Sequence, residues 1–229
     1  MRSLCLLAGL CSSLATAQTL VRVEAHSVLR LPSNSASVLQ LDRLEIAEQG
    51  TLLIPASLTE IRLGELHLGR EARIGIAPSE QPLRLVVARG EIGAGSHISA
   101  GGAPGTLQQP AKPGRNLSLR LEKVQTAELT LDARGGAGAP GYRGLDGADG
   151  ESGGCTWGQA TRGHDGQQGG DGQSGAAGGQ VRLEVPADFP AQLLQVRLEG
   201  GAGGPAGEGG SGGAGGKAKG CWFFRSAGA

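Results

Sequence analysis

The sequence predicts an all-β chain: a parallel β-solenoid, β-helix-like, with glycine-rich polyproline II arms inserted between its rungs. Three observations carry that expectation. Short runs of alternating apolar residues recur at roughly regular intervals, the strand signal of a chain whose single rungs cannot bury their own apolar faces. A Gly-Gly-Ala signature follows such a run three times, at Gly101-Gly102-Ala103, Gly135-Gly136-Ala137 and Gly200-Gly201-Ala202, and self-similarity of this kind marks stacked units. Glycine supplies 43 of the 229 residues and aromatic residues only 3%, so bulky side chains cannot fill a conventional core.

Residues 1–17 read as a signal peptide: Arg2 supplies the positive start, Ser3 to Cys11 an apolar stretch, and Ala15-Thr16-Ala17 a small-residue cleavage site before Gln18. The expected localisation is secreted, extracellular or at the cell surface. No later segment is long and apolar enough to span a bilayer, and the formal net charge of zero gives no electrostatic reason to expect nucleic acid.

Residues 18–100 form the first rungs. Val21 and Val23, Val28 and Leu29, Leu39 and Leu41, Leu44 and Ile46, Leu52 and Ile54, Ile61 and Leu63, Leu66 and Leu68, and Ile74 and Ile76 pair off along it, and Leu83, Leu85, Val87, Ile92 and Ile98 complete the series. About twenty residues per turn are expected. Residues 101–229 continue the rungs through Leu117, Leu119 and Leu121, through Leu129 and Leu131, and through Val181, Leu183 and Val185. Asn116-Leu117-Ser118 is a formal glycosylation acceptor.

Within that half, glycine falls at every third residue from Gly135 to Gly153, from Gly163 to Gly178 and from Gly201 to Gly216. A three-residue repeat matches the polyproline II helix, which places every third residue on one face. The arms are expected at 135–180 and 200–220. Proline is sparse and the phase breaks between Cys155 and Arg162, so a folded-back pair within one chain is favoured over an intermolecular triple helix; disorder of the glycine tracts is the competing reading.

Over roughly Gly101 to Gly220 the chain resembles collagen-like repeats, and more specifically the bacterial secreted glycine-rich surface proteins in which G-x-x runs alternate with short β-strands. The resemblance implies a structural or adhesive role outside the cell.

Cys155 and Cys221 lie at corresponding places past Gly135 and Gly200 and would form a disulfide if neighbouring arms stack. Trp157, Trp222, Phe223 and Phe224 cluster beside them, as a tip contact for a glycan or protein or as a small core over the disulfide. Asp146, Asp149, Asp165 and Asp171 recur on the arms as solvated carboxylates opposite Arg143, Arg162 and Arg225, without the nonapeptide calcium pattern. His26, His67, His97 and His164 show no ligand spacing; neither a metal nor a cofactor is expected.

Glu45, Glu65 and Glu91 read as isolated carboxylates among turns, and no nucleophile motif accompanies them. The expected function is therefore a non-catalytic scaffold presenting its arms. An ice-binding polyproline II protein and a polysaccharide-acting β-helix enzyme are the alternatives. The third module lacks a returning glycine run after Cys221, and an open solenoid end suggests self-association.

Overall fold

The structure is a computed structural model that describes residues 19–33, 37–154 and 158–217. The signal-peptide reading and the readings at Cys155, Trp157, Cys221, Trp222, Phe223 and Phe224 fall outside the described residues.

Successive strands alternate between two six-stranded sheets in which every pairing is parallel. The first contains β1 (Leu20–Val23), β3 (Val38–Ile46), β5 (Glu60–Leu68), β7 (Leu83–Ile92), β9 (Leu117–Thr126) and β11 (Val181–Glu184). The second contains β2 (Val28–Arg30), β4 (Thr51–Ile54), β6 (Arg73–Ile76), β8 (Ser96–Ser99), β10 (Leu129–Asp132) and β12 (Leu194–Arg197). This all-β arrangement is compatible with a parallel β-solenoid. Paired positions of the first strands lie 22 to 24 residues apart, as Val38 with Glu60 and Glu60 with Arg84, slightly more than the expected twenty, and the offset grows between β7 and β9, where Leu83 pairs with Leu117.

Register explains why small repeated runs suffice. Leu41, Leu63, Val87 and Leu121 stand in one row of the first sheet, and Leu29, Leu52, Ile74, Ile98, Leu131 and Val196 in one row of the second. A coil alone would leave such residues wet; stacked, most are buried, each contributing roughly 1.5–3 kcal/mol. Along the long strands the in-out alternation slips once, so that two successive residues leave the core at Asp42 and Arg43, at Gly64 and Glu65, and at Glu122 and Lys123. At this slip a Cβ on Gly64 would lie 2.7 Å from the Asp42 carbonyl oxygen.

The turns joining the two sheets also stack. His26, Gln49, Glu71 and Gly95 all take positive φ, at 55°, 55°, 54° and 71°, and each turn is closed by a backbone bond such as Gly50 N–H to the Ala47 oxygen at 2.9 Å. Only Gly95 is a residue suited to the left-handed region; at the other three the stacking overrides local preference. Relief of that strain, about 1–2 kcal/mol, exceeds the added chain entropy of glycine, about 0.5–1 kcal/mol. His26→Gly should therefore stabilise the protein slightly, by about 0.5–1 kcal/mol in urea unfolding.

Another corner is held by a buried cation. Arg115 is fully buried and donates to the carbonyl oxygens of Gln81 at 2.8 Å, Ala77 at 3.3 Å, Ala56 at 3.4 Å and Leu58. It thus binds loops of two preceding coils from the start of β9. Burial pulls its pKa down from the ordinary arginine value.

Candidate functional site

The described glycine-rich stretches are joined by backbone hydrogen bonds at every third residue. An outbound segment, 135–153, donates to the parallel segment 199–217 through pairs such as Gly138 to Ala202, Gly144 to Glu208 and Gly150 to Ala214, each 2.8 Å. The return segment, 161–179, runs antiparallel and donates to the first, as in Gln167 to Leu145 at 2.8 Å. Segment 199–217 closes the cycle by donating to the return segment, as in Gly210 to Gln167 at 2.8 Å. The expected folded-back pair is therefore a set of three. A shorter loop, 101–114, adds two further lines at its root through Gly105 to Ala137 at 2.7 Å and Gly114 to Ala177 at 3.0 Å.

The three-residue period now has a cause in packing. A Cβ on Gly138, Gly144 or Gly147 would overlap the carbonyl oxygens of Gln173, Gln167 or His164. Glycines of the return segment meet the 199–217 carbonyls in the same way, as Gly166 meets Gly210. Backbone takes the place of a side-chain core.

Two aspartates of the glycine-rich segments have a role that spacing did not reveal. Asp146 accepts from Ser211 N–H, and Asp149 from Ala214 N–H, both at 2.7 Å. They set the register between segments 65 residues apart; Arg143 is 3.6 Å from Asp146. Asn116, read as a glycosylation acceptor, uses its side-chain oxygen to bind Gln180 N–H at 2.8 Å.

The set exposes Tyr142 and Leu145, each about two-thirds open to solvent (63% and 67%). The Tyr142 ring lies over Gly170, where a Cβ would strike it. In sequence this pair is inconspicuous, a lone tyrosine and leucine among glycine triplets. The available signal was the extra glycine, Gly169-Gly170, next to the triplet phase.

At the root of the set, a cleft of about 390 Å³ is lined by residues including Ser99, Asp132, Arg134, Gly135, Gly200 and Gly201. Asp132, 7% exposed, accepts from Arg134 Nε at 3.0 Å and from its terminal nitrogen at 2.7 Å. Burial alone would raise the Asp132 pKa, but the Arg134 hydrogen bonds and charge outweigh it and hold the group below its usual value. His97, with Nε2 4.0 Å from that carboxylate, is also shifted down: burial and the charges of Arg197, Arg73 and Arg134 outweigh the pull of Asp132.

Both shifts have the same sign in linkage. Each group's folded pKa lies below its unfolded one, so its stabilising contribution is present at neutral pH and is lost on acidification. His97 should act first, below about pH 6.5, and Asp132 below about pH 3.9. Melting temperatures measured from neutral to acid pH should fall in these two stages. His97→Gln should remove the upper stage, and Asp132→Asn the lower.

The outward face of the first sheet carries the other polar constellation. Glu45, Glu65 and Glu91 are not isolated among turns; they lie on β3, β5 and β7. Stacking sets Glu65 against Arg89 at 2.6 Å and Arg43 at 3.5 Å, and Glu91 against His67 at 3.0 Å. A groove of about 500 Å³ is lined by Arg43, Glu65, His67, Arg89 and Glu91 together with Pro186 and Asp188. Such rows offer alternating charge to a polar ligand. No group of three or more metal-ligating side chains occurs among the described residues, and no described helix is long and apolar enough to cross a membrane.

Comparisons with family models, with curated proteins and with solved structures return no match.

Proposed function

We propose that this chain is an exported, non-catalytic scaffold of the cell surface or extracellular matrix. Its two sheets form the walls of a closed parallel β-solenoid, and its glycine-rich segments project from the last coils as ordered polyproline II arms. The supporting observation is the cyclic backbone bonding of 135–153, 161–179 and 199–217, which holds a three-residue repeat in one register without a side-chain core. Polyproline II geometry accommodates that repeat and rises about 3.1 Å per residue, so each arm extends well beyond the coil that carries it.

Presentation is the mechanism. The solenoid spaces the roots, and the arms offer Tyr142 and Leu145 to a surface glycan or protein. Binding of the mature chain to polysaccharide-coated and protein-coated surfaces tests this. A Tyr142→Ala, Leu145→Ala double substitution should weaken adsorption with an unchanged melting temperature. Equal adsorption by both proteins, or none by either, would remove the display reading.

A further inference from the structure

We infer that the uncovered edge of β9 at residues 123–126 is a docking site for an extended peptide segment of another protein, which adds to the first sheet as a short parallel strand. The site lies on the sheets and is independent of the display reading, which rests on the glycine-rich segments.

A repeated bond stops at this place. The residue that follows each long strand of the first sheet donates its N–H to the strand before it: Ala47 to the Val23 oxygen at 2.9 Å, Gly69 to Ile46 at 2.8 Å, Gly93 to Leu68 at 2.7 Å and Ala127 to Ile92 at 2.9 Å. Thr126 is next in that row, opposite Ile92. Its carbonyl oxygen accepts no backbone N–H among the described residues. The cause lies in the following strand: β3 and β5 have 9 residues, β7 and β9 have 10, and β11 has 4. β11 pairs only with Leu117 to Arg120. Pro186, which has no N–H to continue the ladder, then turns the chain through a bond from Phe189 N–H to its own oxygen at 3.1 Å.

The missing bond coincides with a cavity. The groove of about 500 Å³ on this sheet is lined at this edge by Lys123, Val124 and Gln125, with Pro186 and Asp188. The outer edges of β1, β2, β11 and β12 end the sheets; this edge instead has the chain's own residues at its side.

Register states what the added strand must carry, because side chains alternate between the two faces. Val124 continues the row Leu44, Leu66 and Gly90, and Thr126 the row Ile46, Leu68 and Ile92, so apolar residues belong opposite both. Gln125 continues the polar row Glu45, His67 and Glu91. Lys123 continues Arg43, Glu65 and Arg89, a row whose charge alternates until Lys123 follows Arg89. Glu122 is engaged by Arg120 at 3.6 Å, and among the described residues no carboxylate lies within 4.0 Å of Lys123. The matching segment is therefore acidic, apolar, polar, apolar, and then a small residue whose N–H reaches the Thr126 oxygen, as Gly69 reaches Ile46. In this chain that pattern stands at 60–64 and 65–69, along β5, which β3 and β7 already flank on both sides. The occupant accordingly comes from a different protein, and strand addition of this kind supplies its own donors and acceptors to the edge.

The test is fluorescence anisotropy of a labelled peptide, Ser-Glu-Leu-Thr-Leu-Gly-Ser, titrated with the mature chain up to about 1 mM. Saturable binding is expected. Replacing the peptide's glycine by N-methylglycine, which removes only the N–H meant for Thr126, should weaken it at least about tenfold. Replacing its glutamate by lysine should weaken it about fivefold, and Lys123→Glu in the protein should reverse that preference at an unchanged melting temperature. Absence of saturable binding, as would follow if the chain's own residues already filled the edge, overturns the proposal. Equal binding of the N-methylated peptide, or a charge preference that Lys123→Glu leaves as it was, overturns it too.

Discussion

Gly144→Ala should open the glycine-rich set, whereas Gly209→Ala should leave it intact, although both exchange the same residue types in paired segments. At position 144 the new methyl overlaps the Gln167 carbonyl oxygen and approaches Gly210 nitrogen at 2.8 Å. Both obstacles are backbone, and neither can rotate away as a side chain would. Separation of the segments to admit the methyl breaks the local bonds Gly144 to Glu208, Gln167 to Leu145 and Gly210 to Gln167. Overpacking of about 1–3 kcal/mol and about 1 kcal/mol for each lost bond give a cost of about 4–6 kcal/mol. At position 209 the methyl meets nothing nearer than the Gln167 oxygen at 3.7 Å. Amide exchange across Gly141 to Gly150 should lose protection in the first variant and keep it in the second. Equal protection in the two would show that the three-residue period is not set by backbone contact.

Arg115→Met should destabilise the two-sheet fold by several kcal/mol, about 1–3 kcal/mol for each carbonyl left without a donor in the interior. Methionine fills a similar volume but supplies no donor, so the carbonyls of Gln81, Ala77, Ala56 and Leu58 lose their shared partner inside the protein. Arg115→Lys should recover only part of the loss, because one ammonium cannot reproduce the planar fork that reaches two loops. Urea unfolding monitored by far-ultraviolet circular dichroism measures both. A methionine variant as stable as the parent would mean that these corners are held by strand pairing alone.

Much of the sheet architecture was legible because apolar alternation reports it directly. Leu52 and Ile54, Ile61 and Leu63, and Ile74 and Ile76 alternate in sequence and lie buried in parallel strands. The glycine period was equally plain from Gly135 to Gly153. The charged rows were not legible: Glu65, Arg89 and Arg43 are distant in the chain, and only register makes them neighbours. Arg115 was equally hidden, since a lone arginine before Leu117 looks like any exposed charge. Asp146 and Asp149 look solvated in sequence because the N–H donors they accept from, those of Ser211 and Ala214, lie on a segment 65 residues away.

The amino-acid order by itself determined the β-strand periodicity, the repeated passage from strand to glycine run, and the every-third-residue glycines, all of which are local patterns imposed by backbone geometry. Only the tertiary structure decided that three glycine segments bond in a cycle, that carboxylates and guanidinium groups pair between coils, and that Gly209 is left without the crowding that surrounds Gly144. The physical reason is that hydrogen-bond partners and steric crowding belong to the space between segments. A glycine's place in the repeat says that something comes close to it; which segment comes close, and where none does, depends on how the coils are stacked.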